Sequence, residues 1–484
     1  MTERSTVSEA VNETELLRGL PPEHAISDAK LAAAVASGRR LVILDDDPTG
    51  TQTIADLPVL TRWTEDDLRW AIDQATTAFF VLTNTRSLSP ADAAARDREV
   101  AEVALKVADE RGVKLAFASR SDSTLRGHFP LETDVISAVC AEAGQPIDGV
   151  IVNPAYLDAG RLTVDATHWV RTSEGLIPAA TSDFAADATF GYANSRLDAW
   201  VEEKTCGRIA AGDVVRITID DLRTGGPNAV RSLLDSLEGG RVAVVDAASE
   251  NDLRVLTLAI IDAEAGGKRF VYRVGPSFVR SRSGQAKREP IDAARLESLR
   301  GESRPQKGGL VVVGSHVPLT TRQLGRLTES LPTTTIELDV PTLIGTTDPS
   351  GYRDSLAKKA TAALSRGGGT VVISTTRQVV TADTGDESLA ISRAVSSAIV
   401  DIVRAVVVAS DPAFVIAKGG ITSSDVATES LGIVRAWVRG TLLPGIVSLW
   451  QPTSGAAQGV PYVVFAGNVG DDESLRAVVE RLSS

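Results

Sequence analysis

"LVILDDDPTGTQT", residues 41–53, runs an apolar segment straight into three carboxylates and a Pro-Thr-Gly turn. The apolar run bounded by turn residues reads as a buried strand, so Asp45, Asp46 and Asp47 stand where a strand ends. Adjacent carboxylates repel one another, and one drawn out of water costs several kcal/mol unless a cation or hydrogen-bond donors compensate it. An exposed acidic turn in which Asp47 or Thr49 caps a helix is the ordinary reading of such a triplet. Its place at a strand's carboxyl end favours a second reading, because open α/β sheets bind ligands there.

Outward from this stretch, short β-branched runs alternate with helical patterns along the chain. "RLVIL" (40–44), "TAFFVLT" (77–83), "VKLAFAS" (113–119), "DGVIVN" (148–153), "RVAVVDA" (241–247) and "KRFVYRV" (268–274) read as strands. Thr64 with Asp67 reads as a capping pair, and Ser89-Pro90 as an N-cap followed by proline at the first helical position. The alternation resumes with "GGLVVVGS" (308–315), "TTTIELDV" (333–340), "GTVVIST" (369–375), "AFVIAKGG" (413–420) and "PYVVFAGN" (461–468). This is the signature of parallel α/β architecture. The expectation is two α/β domains with largely parallel sheets and the active site in the cleft between them. A mobile tail over 1–26 precedes a first domain over 27–275; a connection rich in Arg, Ser, Gly and Pro over 276–307 leads to a second domain over 308–484.

At 484 residues the chain is long enough for two cores. A net charge of −13 speaks against nucleic-acid and anionic-membrane partners, which need a basic face. The two cysteines, Cys140 and Cys206, are isolated, which suggests neither a disulfide framework nor a metal site and fits a cytoplasmic protein. The first 26 residues lack the basic start and apolar core of a signal peptide, and no apolar run approaches membrane-spanning length.

In the second half, three apolar strands end in small-residue turns followed by helices: "VVVGSHVPLTTRQL", "FVIAKGGITSSDVATESL" and "VVFAGNVGDDESLRAVV". Glycine lets the backbone approach a ligand, and free N–H groups at a helix start favour phosphate. Gly419-Gly420 followed by Thr422, Ser423 and Ser424 brings flexible backbone and hydroxyl donors together. Neither a Walker loop nor a dinucleotide fingerprint is present, so a nucleotide site here is of another type. In the first half, "FASRSDSTLRGHFPLE" (117–132) packs Arg120, Asp122, Ser123, Thr124, Arg126 and His128 behind a strand, which suits a small polar anion. "LTNTRSLSP" (82–90) adds Arg86, and "NPAYLDAGRLTVDATHW" (153–169) adds Asn153, Arg161 and His168. Arg86 and Arg120 are the candidates for a substrate carboxylate. Asp122, between arginines in a serine-rich turn, is the candidate base. The four histidines show no zinc-site spacing.

Together "DDDPTGTQT", "SRSDSTLRGH", "PAYLDAGRLT", "GGITSSDVA" and "AGNVG" resemble the four-carbon acid sugar kinase family over about residues 40–475. The resemblance implies an N-terminal sugar-acid-binding domain, a C-terminal nucleotide-binding domain and ATP-dependent phosphorylation of tetronates or 3-oxo-tetronates. It implies that Asp46, Asp47, Arg86, Arg120, Ser121, Asp122 and Ser123 contact the acid, and that Ser315, Gly419, Gly420, Ile421, Thr422, Gly467 and Asn468 contact ATP. The nucleotide would bring Mg²⁺, with water and few protein ligands. The acidic turn of the family reads more like ADDFTGA and its last turn like PGNFG; here Pro48, Gln52 and AGNVG depart from that pattern. These departures leave open the identity of the acid, including the branched 3-oxo-isoapionate. A homo-oligomer is left open too.

Two other readings compete. Asp45 and Asp47 with Thr49 have the DxDxT spacing of haloacid-dehalogenase-like phosphatases, although that leaves the Gly-Gly-Thr-Ser turn without a role. A two-domain fold with such sites also suits a sensor that binds a sugar acid without catalysis.

Overall fold

The computed structural model describes residues 10–300, 308–367, 369–378, 380 and 385–484. The chain divides into two compact units. The first holds residues up to Thr53 and Trp63–Lys287, and the second holds Ile54–Arg62 and Arg288–Ser484.

The first unit is built on seven parallel strands. Across the sheet they run Ala78–Leu82, Arg40–Asp45, Leu115–Arg120, Phe270–Val274, Gly149–Asn153, Arg241–Val245 and Val215–Ile217. Burial on both faces requires apolar strands, and Leu41–Leu44 are all buried. Helices Pro90–Arg111 and Glu250–Ala265 start at the caps Ser89 and Ser249, the first with proline at its opening position. Thr64 accepts from Asp67 N as the cap of Glu65–Asp73. Because Arg40–Asp45 has later strands on both sides, the order reverses beside it and its carboxyl end lies at a topological switch point. That end carries the acidic triplet.

The second unit carries five parallel strands in the order Thr333–Leu338, Thr370–Thr375, Leu310–Val313, Val415–Lys418 and Tyr462–Phe465. Ile446–Pro452, Arg435–Leu443 and Leu57–Leu60 extend that sheet antiparallel. The switch point here is the end of Leu310–Val313, where Gly314 and Ser315 follow. Its core gathers Val311, Val313, Ile416, Val463, Phe465 and the inner face of the closing helix Ser474–Ser483.

The expected strands all form, and the departures have physical causes. Residues 10–26 are not a loose tail: Val11 pairs with Leu176, Arg171 holds Glu13, and Arg223 donates to the Pro21 carbonyl. Residues 1–9 lie outside the described residues. The stretch expected as a connection opens with a fully buried helix, Pro276–Arg282, whose Arg280 and Arg282 are neutralised by Asp158, Glu250 and Glu264. The boundary therefore falls at 287/288, and 301–307 of the expected connection lie outside the described residues. A three-stranded antiparallel sheet of Arg161–Val164, Thr167–Arg171 and Leu176–Pro178 was not expected. Cys140 and Cys206 are both free, and no helix among the described residues is long and apolar enough to cross a membrane.

Candidate functional site

In the first unit the acidic triplet is largely inside the protein. Asp45 is 1% exposed, Asp46 is also buried and Asp47 is half-buried. Strand register explains the first pairing: Asp45 lies directly opposite Arg120, and Arg120 Nη1 donates to Asp45 Oδ1 at 3.0 Å. The turn after Ala78–Leu82 is pinned by main-chain bonds from Thr83 N to Asp45 O and from Arg86 N to Asp46 O. Arg86 thereby reaches Asp46 with Nε at 2.9 Å and with Nη2, and Asp47 with Nη1 at 3.5 Å. Asp47 also accepts from Thr49 N at 2.8 Å and from its hydroxyl, capping the short turn Pro48–Thr51. The ordinary capping reading thus holds for Asp47, and the charge-pair reading for its two neighbours. Gly50 packs on the Asp45 carboxylate so closely that any Cβ would overlap both oxygens. Burial pushes Asp45 up to about 7 and Asp46 to about 6 against the pull of Arg120 and Arg86. For Asp47, Arg86 and Thr49 outweigh burial and lower the pKa.

Beside this turn stands Asp122. Arg126 Nε donates to its Oδ2 at 2.6 Å, and the Thr124 hydroxyl donates to the same oxygen. Burial is opposed by Arg86 and Arg126, which hold the carboxyl well below the usual carboxylate range. The loop is fixed from beneath by Arg273, whose Nη2 donates to the carbonyls of Asp122 and Arg126 at 3.1 and 3.0 Å. Ser121, buried, donates to Glu132 at 3.1 Å, as do Ser119 at 2.8 Å and Thr85 at 3.0 Å. Ser123 supplies its carbonyl to His168 Nε2 at 2.7 Å. Burial lowers His168 to about 4, so it is a neutral structural ring. His128 contacts the Thr85 carbonyl at 3.1 Å.

The sequence-predicted residues of this unit therefore converge around the acidic triplet and Asp122. Arg86 engages Asp46 and Asp47 with its fork, whereas Arg120 gives Nη1 to Asp45 and its Nε has no hydrogen-bond partner. Arg161, half-buried, has no carboxylate within ion-pair reach among the described residues, and its Nε has no hydrogen-bond partner. Burial lowers its pKa against the pull of the Asp122 carboxylate. Asp45, covered by Gly50 and paired with Arg120, is badly placed to attack a phosphorus atom, which weighs against the phosphatase spacing.

In the second unit the three turns meet at the switch point. Register places Val313 beside Lys418 and Lys418 beside Phe465, so Gly314-Ser315, Gly419-Gly420 and Ala466-Gly467 leave adjacent strands together. A Cβ on Gly419, whose φ is +127°, would lie 3.1 Å from Thr422 Oγ1 and 3.2 Å from Ser315 Cβ. A Cβ on Gly467 would lie 2.5 Å from Ser315 Oγ. Thr320 ties the turns further by donating to Gly467 O at 2.8 Å. The helix after Gly419 spans only Gly420–Asp425 before a π turn, so its dipole is a lesser asset than the glycines and hydroxyls. Beside these turns lies a cavity of about 280 Å³, walled by Gly314, His316, Val395, Ile399, Ile421 and Thr422. Ile421 is 71% exposed. Asn468 is exposed, and Gly420 is half-buried.

Residues 41–282 match the model of a sugar-binding N-terminal domain, and residues 310–475 that of a nucleotide-binding C-terminal domain. These two domains together make up one family. The chain belongs to the four-carbon acid sugar kinase family. Among solved structures, it is 20% identical to the Haemophilus influenzae protein HI1011, over 90% of this chain and 98% of that one, with a TM-score of 0.61. It is also 20% identical to a protein of Salmonella typhimurium LT2 whose name puts it with tRNA synthases, again over 90% and 98%, with a TM-score of 0.64. At that identity the likeness concerns the fold alone. No curated protein matches the chain. Within the family architecture, the acidic cluster lies in the sugar-binding domain and the glycine turns in the nucleotide-binding domain.

Sequence reasoning passed over Glu132, buried in the first turn of the helix Leu131–Glu142, and Arg273 and Lys418, buried at or next to strand ends. Lys418 and Arg273 sat inside quoted strands, where a charge in an apolar run was the available signal. Asp97 is a further omission: it is 1% exposed, neither carboxyl oxygen has a hydrogen-bond partner, and burial with Glu132 and Asp46 pushes it up to about 9. Among the described residues no three His, Cys, Asp or Glu side chains are grouped to hold a metal ion.

Proposed function

We propose that this protein transfers the γ-phosphoryl group of ATP to a terminal hydroxyl of a small sugar acid. The acid is a tetronate, a 3-oxo-tetronate or a close branched relative such as 3-oxo-isoapionate. The observation that carries this reading is the convergence of Ser315, Gly419, Thr422 and Gly467 at the switch point of the unit that matches a nucleotide-binding domain. Three strand ends without side-chain bulk form a cradle for phosphates, and the apolar cavity beside Ile421 is suited to a base.

In the sugar-binding unit, Arg161, half-buried and with no carboxylate within ion-pair reach among the described residues, holds the acid's carboxylate, while Arg86 and Arg120 keep the acidic triplet in place. Asp46, Asp47, Ser121 and Ser123 position the sugar hydroxyls. Asp122 accepts the proton of the attacked hydroxyl. Its low pKa is compatible with that role, because phosphoryl transfer is largely dissociative and catalysis is chiefly positioning and electrostatics. Mg²⁺ brought by the nucleotide, with water and few protein ligands, would neutralise charge on the transferred group.

The test is ADP release in the presence of ATP, Mg²⁺ and each of the erythronates, threonates, their 3-oxo forms and 3-oxo-isoapionate. At least one acid should stimulate it strongly. Hydrolysis of p-nitrophenyl phosphate without ATP would favour a phosphatase, and acid binding without any ATP turnover would favour a sensor.

A further inference from the structure

Lys418 ends the strand Val415–Lys418 and is 0% exposed. Its Nζ donates to the Ala466 carbonyl at 2.6 Å and lies 3.7 Å from the centroid of the Phe465 ring. Its own carbonyl accepts from Gly314 N, and the next residue, Gly419, donates to the Phe465 carbonyl at 2.8 Å. One residue thus stands where all three glycine turns leave the sheet. No carboxylate lies within ion-pair reach of it among the described residues. The groups on the surrounding elements are engaged elsewhere. Tyr462 donates to the Ser423 carbonyl, Asp425 holds the Ser396 hydroxyl, Arg377 donates to the Ser315 carbonyl, Asp471 holds Ser474, and His316 faces Thr375.

A buried ammonium with one carbonyl and one ring face for company is under-compensated. Burial accordingly lowers Lys418 to about 7. An anion arriving at the turns would supply the missing charge. We propose that Lys418 is a positioning residue that ties the Gly419 and Gly467 turns together, and that it takes up a proton from solvent when nucleotide phosphate enters the cradle. The step is a simple protonation: the neutral amine gains one proton from buffer, and the resulting ammonium is held by the phosphate charge. This inference rests on the nucleotide reading of the preceding section.

The experiment is calorimetric titration of the full-length protein with Mg-ADP in buffers of different ionisation enthalpy, from pH 6 to 8.5, for wild type, Lys418→Met and Lys418→Arg. Wild type should take up a fraction near zero at pH 6 and approaching about one proton per nucleotide at pH 8. Lys418→Met should lose that uptake and bind about tenfold more weakly or worse at pH 6. Lys418→Arg, charged throughout, should bind without uptake. A purely structural lysine would leave the proton count unmoved, so equal counts in wild type and Lys418→Met overturn the proposal. If Lys418→Met does not fold, a wild-type uptake that is flat over the pH range overturns it alone. Absence of any Mg-ADP binding by wild type overturns both this proposal and the nucleotide reading.

Discussion

Arg86 holds Asp46 with two nitrogens at once, Nε to Oδ2 at 2.9 Å and Nη2 to Oδ1, and Asp46 is buried beneath it. This planar fork lets a carboxylate remain inside the protein beside two other acids. Breaking a buried pair by removing one partner strands the other charge. Arg86→Ala should therefore lower the unfolding free energy by about 3 kcal/mol, the low end of the usual range because Arg86 is partly exposed. Adding Asp46→Asn should cost less than the sum of the single changes. Urea unfolding of the four proteins measures this, and strictly additive losses would show that the pair is not coupled.

Asp97 gives stability a pH dependence whose sign can be worked out. Its folded pKa of about 9 is above the ordinary carboxylate value, so from about pH 4 to about pH 9 the folded chain keeps a proton that the unfolded chain has released. Stability from this group is full at low pH and is lost as pH rises through that window. Asp97→Asn should remove the loss, so the variant's melting temperature gains on wild type steadily from pH 5 to 9. Asp45 and Asp46 have the same sign over narrower windows but are common to both proteins. Parallel melting curves would show that Asp97 ionises freely.

Gly419→Ala tests the phosphate cradle. The residue's φ of +127° is strained for any side chain, and the new methyl would press on Thr422 and Ser315. The KM for ATP should rise several-fold with that for the acid unchanged. Gly212→Ala, where a Cβ would meet nothing within 4 Å, is the control and should alter neither. An unchanged ATP KM in folded Gly419→Ala would remove this turn from the nucleotide site.

The roles in the sugar-binding unit separate in kinetics. Asp122→Asn should lower kcat by about 10² or more, the scale for losing a general base, with acid binding retained. Arg161→Met should raise the KM for the acid about tenfold or more and spare that for ATP. If Arg120→Lys raises that KM while Arg161→Met does not, the carboxylate is on Arg120. If Asp47→Asn abolishes turnover while Asp122→Asn does not, the base is in the acidic turn.

The strands of both sheets were legible because parallel strands are buried on both faces and read as unbroken apolar runs. The antiparallel pair Arg435–Leu443 and Ile446–Pro452 was not, since "RAWVRGTLL" alternates with polar residues and Leu57–Leu60 joins its sheet from a distant point in the chain. Strand ends told which residues gather, and the acidic triplet, Arg86, Arg120 and Asp122 do gather. They did not tell which cation meets which anion. That Arg120 faces Asp45 follows from register, a property of two segments 75 positions apart. Lys418 was hidden for a related reason: its acceptor, the Ala466 carbonyl, is a backbone atom 48 positions away.

The central claim is phosphoryl transfer from ATP to a sugar-acid hydroxyl, and the product itself tests it most directly. After incubation of the full-length protein with ATP, Mg²⁺ and the acid that best stimulates ADP release, ³¹P nuclear magnetic resonance should show a new phosphomonoester. Its coupling to two equivalent or near-equivalent protons would place the phosphate on a terminal CH₂ oxygen, with ADP formed in equal amount. Inorganic phosphate as the sole new phosphorus signal, with the acid unchanged, would contradict the account.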